Sequence, residues 1–366
     1  VSFTVGDQGF LDIQGELLSD ADSVISGGSA WVRGPGARWQ VGGFGLDIEG
    51  FGQAGELRVS DGGVVNDMVF AQVGFSSNNS GQLFVGNEPV FAAFGFDDED
   101  EELARSLFSA LILEIGVFTG ATGYVQVDQG GRLDTAQISM GRAGGTGELV
   151  INEGGEVLVG GILELGPGST IDLSGGGKLV IDTDTTPLDQ PVPPGTFNAF
   201  DEIDAGTLLV RGGSGPVLRG TGLVIGDVLI GRGGFLEPGN SPGLFSIDGN
   251  LTLEDGSFLT IEIASGVQYD RVDVSGLITL GGTLQLLFIN GFAPGDGESF
   301  SLEIFSGALA GSFAEVLIGG FNGTLQFDLG ALLTGQATTF TVVPVPAAVW
   351  LFASALGLLS FARRRA

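Results

Sequence analysis

One eleven-residue phrase recurs along this chain and restricts its folding more than any other feature. Gly55-Glu56-Leu57-Arg58-Val59-Ser60-Asp61-Gly62-Gly63-Val64-Val65 returns as Gly123-Tyr124-Val125-Gln126-Val127-Asp128-Gln129-Gly130-Gly131-Arg132-Leu133. It returns again as Gly147-Glu148-Leu149-Val150-Ile151-Asn152-Glu153-Gly154-Gly155-Glu156-Val157. The shared form is G-x-L-x-V-x-x-G-G-x-V, and Gly81-Gln82-Leu83-Phe84-Val85 is a partial copy. An aliphatic-Gly pair precedes the copies, as Val41-Gly42, Val73-Gly74, Ile115-Gly116 and Met140-Gly141. Spacing is 26 residues from Leu57 to Leu83 and 24 from Val125 to Leu149.

Alternation of Leu-x-Val puts two apolar side chains on one face of a strand. The Gly-Gly pair supplies the positive φ of a sharp corner, and another aliphatic residue opens the next short strand. A unit of this length cannot bury its own apolar stripe; stacking like units does so and joins them by parallel ladders. The expected architecture is all-β: a right-handed parallel β-helix, or solenoid.

Composition agrees with that expectation. The 366 residues include 67 Gly and 43% hydrophobic residues, too apolar for a disordered chain and without the strict Gly period of collagen. Acidic residues outnumber basic ones 44 to 14, for a net charge of −30, which repels phosphate backbones and argues against nucleic-acid binding. Cysteine and histidine are absent, which removes disulfides, thiol nucleophiles, Ser-His catalysis and the usual zinc ligands together. No metal and no cofactor is expected. The chain opens at Val1 without an apolar leader, as a fragment or a processed chain would.

Residues 1–182 hold the first array of repeats, and two segments interrupt the rhythm of the chain, one inside that array and one after it. The acidic insertion near 87–113 holds Asp97-Asp98-Glu99-Asp100-Glu101-Glu102 followed by Leu103-Ala104-Arg105-Ser106-Leu107-Phe108, read as a loop with a short helix. EF-hand spacing is missing there. Residues 183–204, with Pro187, Pro191, Pro193 and Pro194, read as a linker or protruding loop. From 205 to 341 the solenoid continues, with Leu236, Leu259 and Leu284 at separations of 23 and 25. Phe292, Phe300, Phe305, Phe313, Phe321 and Phe327 then suggest strands that cap the stack.

The last segment, 342–366, has its own grammar. Val343-Pro344-Val345-Pro346-Ala347 leads into an apolar run to Ala362, then Arg363-Arg364-Arg365. As a helix that run would reach ~24 Å, which with its flanks suits a single C-terminal transmembrane helix, Trp350 near one interface and the arginines on the cytoplasmic side. The segment resembles the PEP-CTERM sorting tail in its V-P-x-P-A form. The resemblance implies a sorting motif at Val343, Pro344, Val345, Pro346 and Ala347, a basic stop at Arg363, Arg364 and Arg365, and recognition by an exosortase-type membrane protease. It also implies export, anchoring in the inner membrane, then the cell surface or extracellular matrix of bacteria that make exopolysaccharide, a possible partner. The body resembles the passenger-type repeats of autotransporters and related PEP-CTERM proteins. That likeness rests on the G-x-L-x-V-x-x-G-G copies, on Leu236-Glu237-Pro238-Gly239-Asn240-Ser241-Pro242-Gly243 and on Tyr269-Asp270-Arg271-Val272-Asp273-Val274. An apolar tail in place of alternating barrel strands disfavours a true autotransporter.

The resulting expectation is a non-enzymatic structural or adhesin-like surface protein with no catalytic residues. The alternative is a polysaccharide lyase or glycoside hydrolase on a β-helix, with Asp182 and Asp184, or Asp270, Arg271 and Asp273, as its candidates. Such chemistry needs carboxylates at a set separation, one with a raised pKa, whereas Asp in a glycine-rich turn more often bonds its own backbone.

Overall fold

The computed structural model describes residues 3–86, 105–181, 207–210, 215–239 and 242–343. Two long parallel sheets dominate it, one of 12 strands and one of 17. The repeat copies lie on one another in the smaller sheet. Leu57 pairs with Leu83, Leu83 with Val125 and Val125 with Leu149, and the column continues through Ile171, Leu218, Leu236, Leu259 and Leu284.

The larger sheet holds two further faces of the coil. Strands Val64–Val73, Ser106–Ile115, Gly131–Met140, Glu156–Leu165 and Arg271–Leu280 are ten residues long and cross both faces without a break. Their partners show the division: Glu156–Val159 pairs with Lys178–Ile181, whereas Leu163–Leu165 pairs with Leu208–Val210. Register slips between Phe108 and Ala110, Thr135 and Gln137, and Asp273 and Leu277 mark where the strand bends. The molecule is therefore a three-faced parallel β-helix.

Each face contributes an inward column to one continuous core. On the second face the column is Trp39, Val65, Phe108, Leu133, Val157, Leu179 and Val224, every one fully buried. On the third it is Leu46, Ala71, Leu113, Ile138, Leu163 and Leu208. Each such aliphatic side chain contributes roughly 1.5–3 kcal/mol by leaving water. The two glycines of the corner have different duties. Gly62, Gly130 and Gly154 have φ of 85°, 72° and 74°, the left-handed region. Gly63, Gly131 and Gly155 are required by proximity instead, since a methyl group there would collide with the carbonyl of Val32, Val85 or Val127 in the coil beneath.

The C-terminal end carries a small antiparallel sheet, Ser299–Leu302, Thr338–Val342 and Leu325–Gln326, together with the helix Leu329–Leu333. Phe340 is fully buried between Phe300 and Phe327, with ring centroids 5.3 and 5.0 Å away. Phe288 and Phe292 join the same cluster. Gly335, just beyond the helix, lies against the side chains of Leu280, Phe305 and Leu309 of the last coils.

Two sequence expectations are corrected. The fold is all-β, but the single C-terminal transmembrane helix is not part of it: no helix among the described residues is long and apolar enough to cross a membrane, and the helix at Leu329–Leu333 has five residues. The length of the apolar run, Trp350 and the Arg363-Arg364-Arg365 cluster suggested that span, and residues 344–366 lie outside the described residues. The helix expected after the acidic run also fails. Ser106, Leu107 and Phe108 open the strand Ser106–Ile115, paired on both sides, because stacking in register outweighs local propensity. Residues 87–104 and the Pro-rich segment lie outside the described residues.

Candidate functional site

Asp270, Arg271 and Asp273 are brought to one corner of the coil but not to one site. Asp270 is 1% exposed. Its Oδ1 accepts from the Gly243 amide at 2.8 Å, and its Oδ2 accepts from the Glu262 amide at 2.8 Å. The carboxylate thus ties Gly243, which leads into the strand Leu244–Asp248, to the end of the strand Phe258–Ile263. Burial pushes its pKa up to about 7, with Glu262 adding to the rise and the two amides opposing it. Both oxygens are occupied by backbone, and no face of the group opens to a substrate.

Arg271 and Asp273 point the other way, as alternation on a strand demands. They line an open groove of ≈ 320 Å³ with Leu244, Glu303, Phe305 and Ser306. The Arg271 guanidinium lies 5.5 Å from the centre of the Tyr269 ring, and the Tyr269 hydroxyl accepts from the Glu303 amide at 3.2 Å. Asp273 and Glu303 are both exposed to solvent. Asp182 and Asp184 lie outside the described residues, as do Pro344, Val345, Pro346, Ala347, Arg363, Arg364 and Arg365. Val343 is described, and its amide donates to the Thr324 carbonyl at 2.9 Å beside the antiparallel sheet. Among the described residues, no three acidic side chains are placed to hold a metal ion.

A different constellation lies on the outer face of the 12-stranded sheet. In register from coil to coil stand Asp12, Trp31, Arg58, Phe84 and Gln126, with Phe10, Glu56, Gln82 and Tyr124 in the neighbouring column. Phe10 meets Trp31 edge to face, with centroids 5.3 Å apart. The Arg58 guanidinium bridges two rings, 5.9 Å from the centre of Trp31 and 4.3 Å from that of Phe84, and Arg33 lies 5.3 Å from Trp31. Tyr124 follows, 5.8 Å from Phe84, its hydroxyl donating to Gln126 Oε1 at 2.6 Å. Burial raises the Tyr124 pKa, helped by Glu148, Asp128 and Asp172. Both arginines have carboxylate partners: Asp12 for Arg33 at 2.7 Å and Glu56 for Arg58 at 2.8 Å. The Trp31 indole Nε1 is buried without a hydrogen-bond partner.

Sequence reasoning missed this strip although its signal was available. Glu56, Arg58, Gln82, Phe84, Tyr124 and Gln126 occupy the x positions of G-x-L-x-V. Only the apolar columns of the aligned copies carry the stacking pattern, so the outward columns passed unread.

The fold defines the class, a three-faced parallel β-helix closed at one end by an antiparallel sheet. No family model matches the chain, and no curated protein does. Among solved structures, the crystal structure of a TibA fragment hyper-glycosylated by TibC aligns over 88% of this chain and 97% of its own, at 16% identity and a TM-score of 0.34. At that score the likeness adds nothing to the strand pairings above.

Proposed function

We propose that this chain is an exported structural or adhesin-like protein of the cell surface or extracellular matrix. One observation carries the reading: the described residues are invested in a stack of coils joined by long parallel ladders, while Asp270, a carboxylate nominated for catalysis, is sealed inside as a backbone clamp. Long ladders of this kind suit display along an axis. The tail that begins at Val343 supports sorting by an exosortase-type protease, with exopolysaccharide as the partner that context suggests.

Fractionation of a producing bacterium tests the reading, comparing the full chain with one ending at Val343. The cut belongs there because Val342 is buried in the antiparallel sheet and Gly297 donates to its carbonyl. The full chain is expected at the surface or in the matrix, and the shortened chain is expected to lose that destination. Equal distribution of the two would remove the sorting role. The second reading, a polysaccharide-cleaving enzyme, is favoured only by the groove at Arg271, Asp273 and Glu303. Release of reducing or unsaturated ends from acidic polysaccharide by the purified chain, abolished by Asp273→Asn, would install it instead.

A further inference from the structure

We infer that the strand Glu315–Gly319 is a self-association edge, where two copies of this chain pair antiparallel across a two-fold axis and join their 12-stranded sheets. This strand ends the sheet. On one side it pairs with Thr283–Phe288, and among the described residues no strand lies on the other. The Ala314 amide donates to the Gly282 carbonyl at 2.8 Å, so by the alternation of a parallel ladder Val316 and Ile318 bond that neighbour. Glu315, Leu317 and Gly319 then turn their N–H and C=O outward, a template for another strand. Leu317 is 43% exposed on the outer face of the sheet. Ile318, which continues the inward column of Leu286, is 37% exposed. The antiparallel sheet closes the core at this end without covering this edge.

Two observations point to a second copy as the occupant. The first is register. Pairing about Leu317 sets Leu317 opposite itself, Val316 opposite Ile318 and Glu315 opposite Gly319. The outward backbone groups of the two copies then bond each other, and the one charge on the strand faces a residue without a side chain. Val316 and Ile318 meet on the inward side, so each core covers the open end of the other. The second is charge. Two bodies of −30 repel least where acids are sparse. The opposite end of the same sheet is blunted by Asp12 in the middle of Phe10–Ile13, whereas Leu317 and both its neighbours are apolar. Lysine and proline, which also blunt edges, are absent from Glu315–Gly319. A pairing this short buries little, so the dimer is weak and strengthens with protein concentration and with salt.

Sedimentation velocity of the full chain tests the inference, in a mild non-ionic detergent that keeps the apolar run before Arg363 from joining copies. A monomer–dimer equilibrium is expected, shifting toward dimer as salt is added. Leu317→Lys sets two like charges face to face on the axis and is expected to weaken the dimer at least about tenfold, or ~1.4 kcal/mol. That variant lowers the net negative charge, so bulk repulsion alone would change association in the opposite direction. Leu317→Pro removes an outward N–H that the fold itself does not use and is expected to weaken the dimer comparably, with a thermal melt close to that of the wild type. Proximity gives a second measurement. The chain has no cysteine, so Leu317→Cys carries a single thiol, as does Gln53→Cys at an exposed corner near the other end. A short bismaleimide is expected to link Leu317→Cys into dimers and to leave Gln53→Cys monomeric. A monomer at every concentration and salt, a dimer of unchanged strength in both the lysine and proline variants, species larger than a dimer, or equal cross-linking at the two thiols would each overturn this edge as the contact.

Discussion

Asp270 illustrates how much a single side chain can be misjudged from its neighbours. Placed between Tyr269 and Arg271 it resembles part of an acidic site, yet its carboxylate is held by two amides from different coils. The pH consequence has a definite sign. A carboxyl whose folded pKa is raised from 3.8 to about 7 contributes stability that is full below the unfolded value and lost as pH rises through 7. Asp270→Asn removes that dependence but leaves one of the two amides short of an acceptor, at a cost of roughly 1–3 kcal/mol. Urea denaturation at pH 5 to 8 is therefore expected to show the wild type's advantage over Asp270→Asn shrinking as pH rises. An advantage that grew with pH would contradict the buried, proton-favouring setting. Core positions behave more simply: Leu149→Ala empties a fully buried site between Val125 and Ile171, and equilibrium unfolding is expected to register about 2–5 kcal/mol.

At the scale of elements, the corner and the coil are the units. Gly131→Ala would push a methyl into the Val85 carbonyl of the coil below, so the backbone must shift, and a loss above ~1 kcal/mol is expected in the same unfolding assay. Because Thr122 is in register with Thr146, deletion of residues 122–145 removes one full coil and rejoins matching edges. The shortened protein is expected to keep its far-UV spectrum and unfold cooperatively at a lower midpoint, as stacked repeats do. The C-terminal sheet is different in kind. Phe340→Ala would leave a void among Phe300 and Phe327, and hydrogen exchange is expected to quicken first in strands Thr283–Phe288 and Arg271–Leu280, ahead of the distant Leu149 coil. The short corners and Leu-x-Val strands were legible because period-2 alternation survives in any stacked coil. The ten-residue strands across two faces were not, since the bend inside a continuous ladder has no constant mark: Gly160-Gly161 and Gly276 stand at it in two of the strands, and no glycine or proline does in the other three. The strand at Ser106 was misread for a related reason: its neighbours in register, Val64 and Gly131, are remote in sequence.

Over the whole molecule, charge and stacking pull in opposite directions. A net charge of −30 repels itself, and coils at fixed spacing hold like charges close, so added salt is expected to raise the thermal midpoint by screening. What the sequence determined by itself was the inward half of this protein: glycine corners and alternating aliphatics leave stacking as the way to hide their stripes, whatever the surrounding residues are. The outward half was decided by tertiary structure. Leu83 and Val125 are adjacent in the stack but 42 residues apart in the chain, and that interval sets which outer side chains meet. Phe10, Trp31, Arg58, Phe84 and Tyr124 become one surface, and Asp270 turns inward, only when coils of unequal length settle into a common register. Burial drives the first outcome locally, residue by residue; the second depends on contacts across sequence separations that no local pattern encodes.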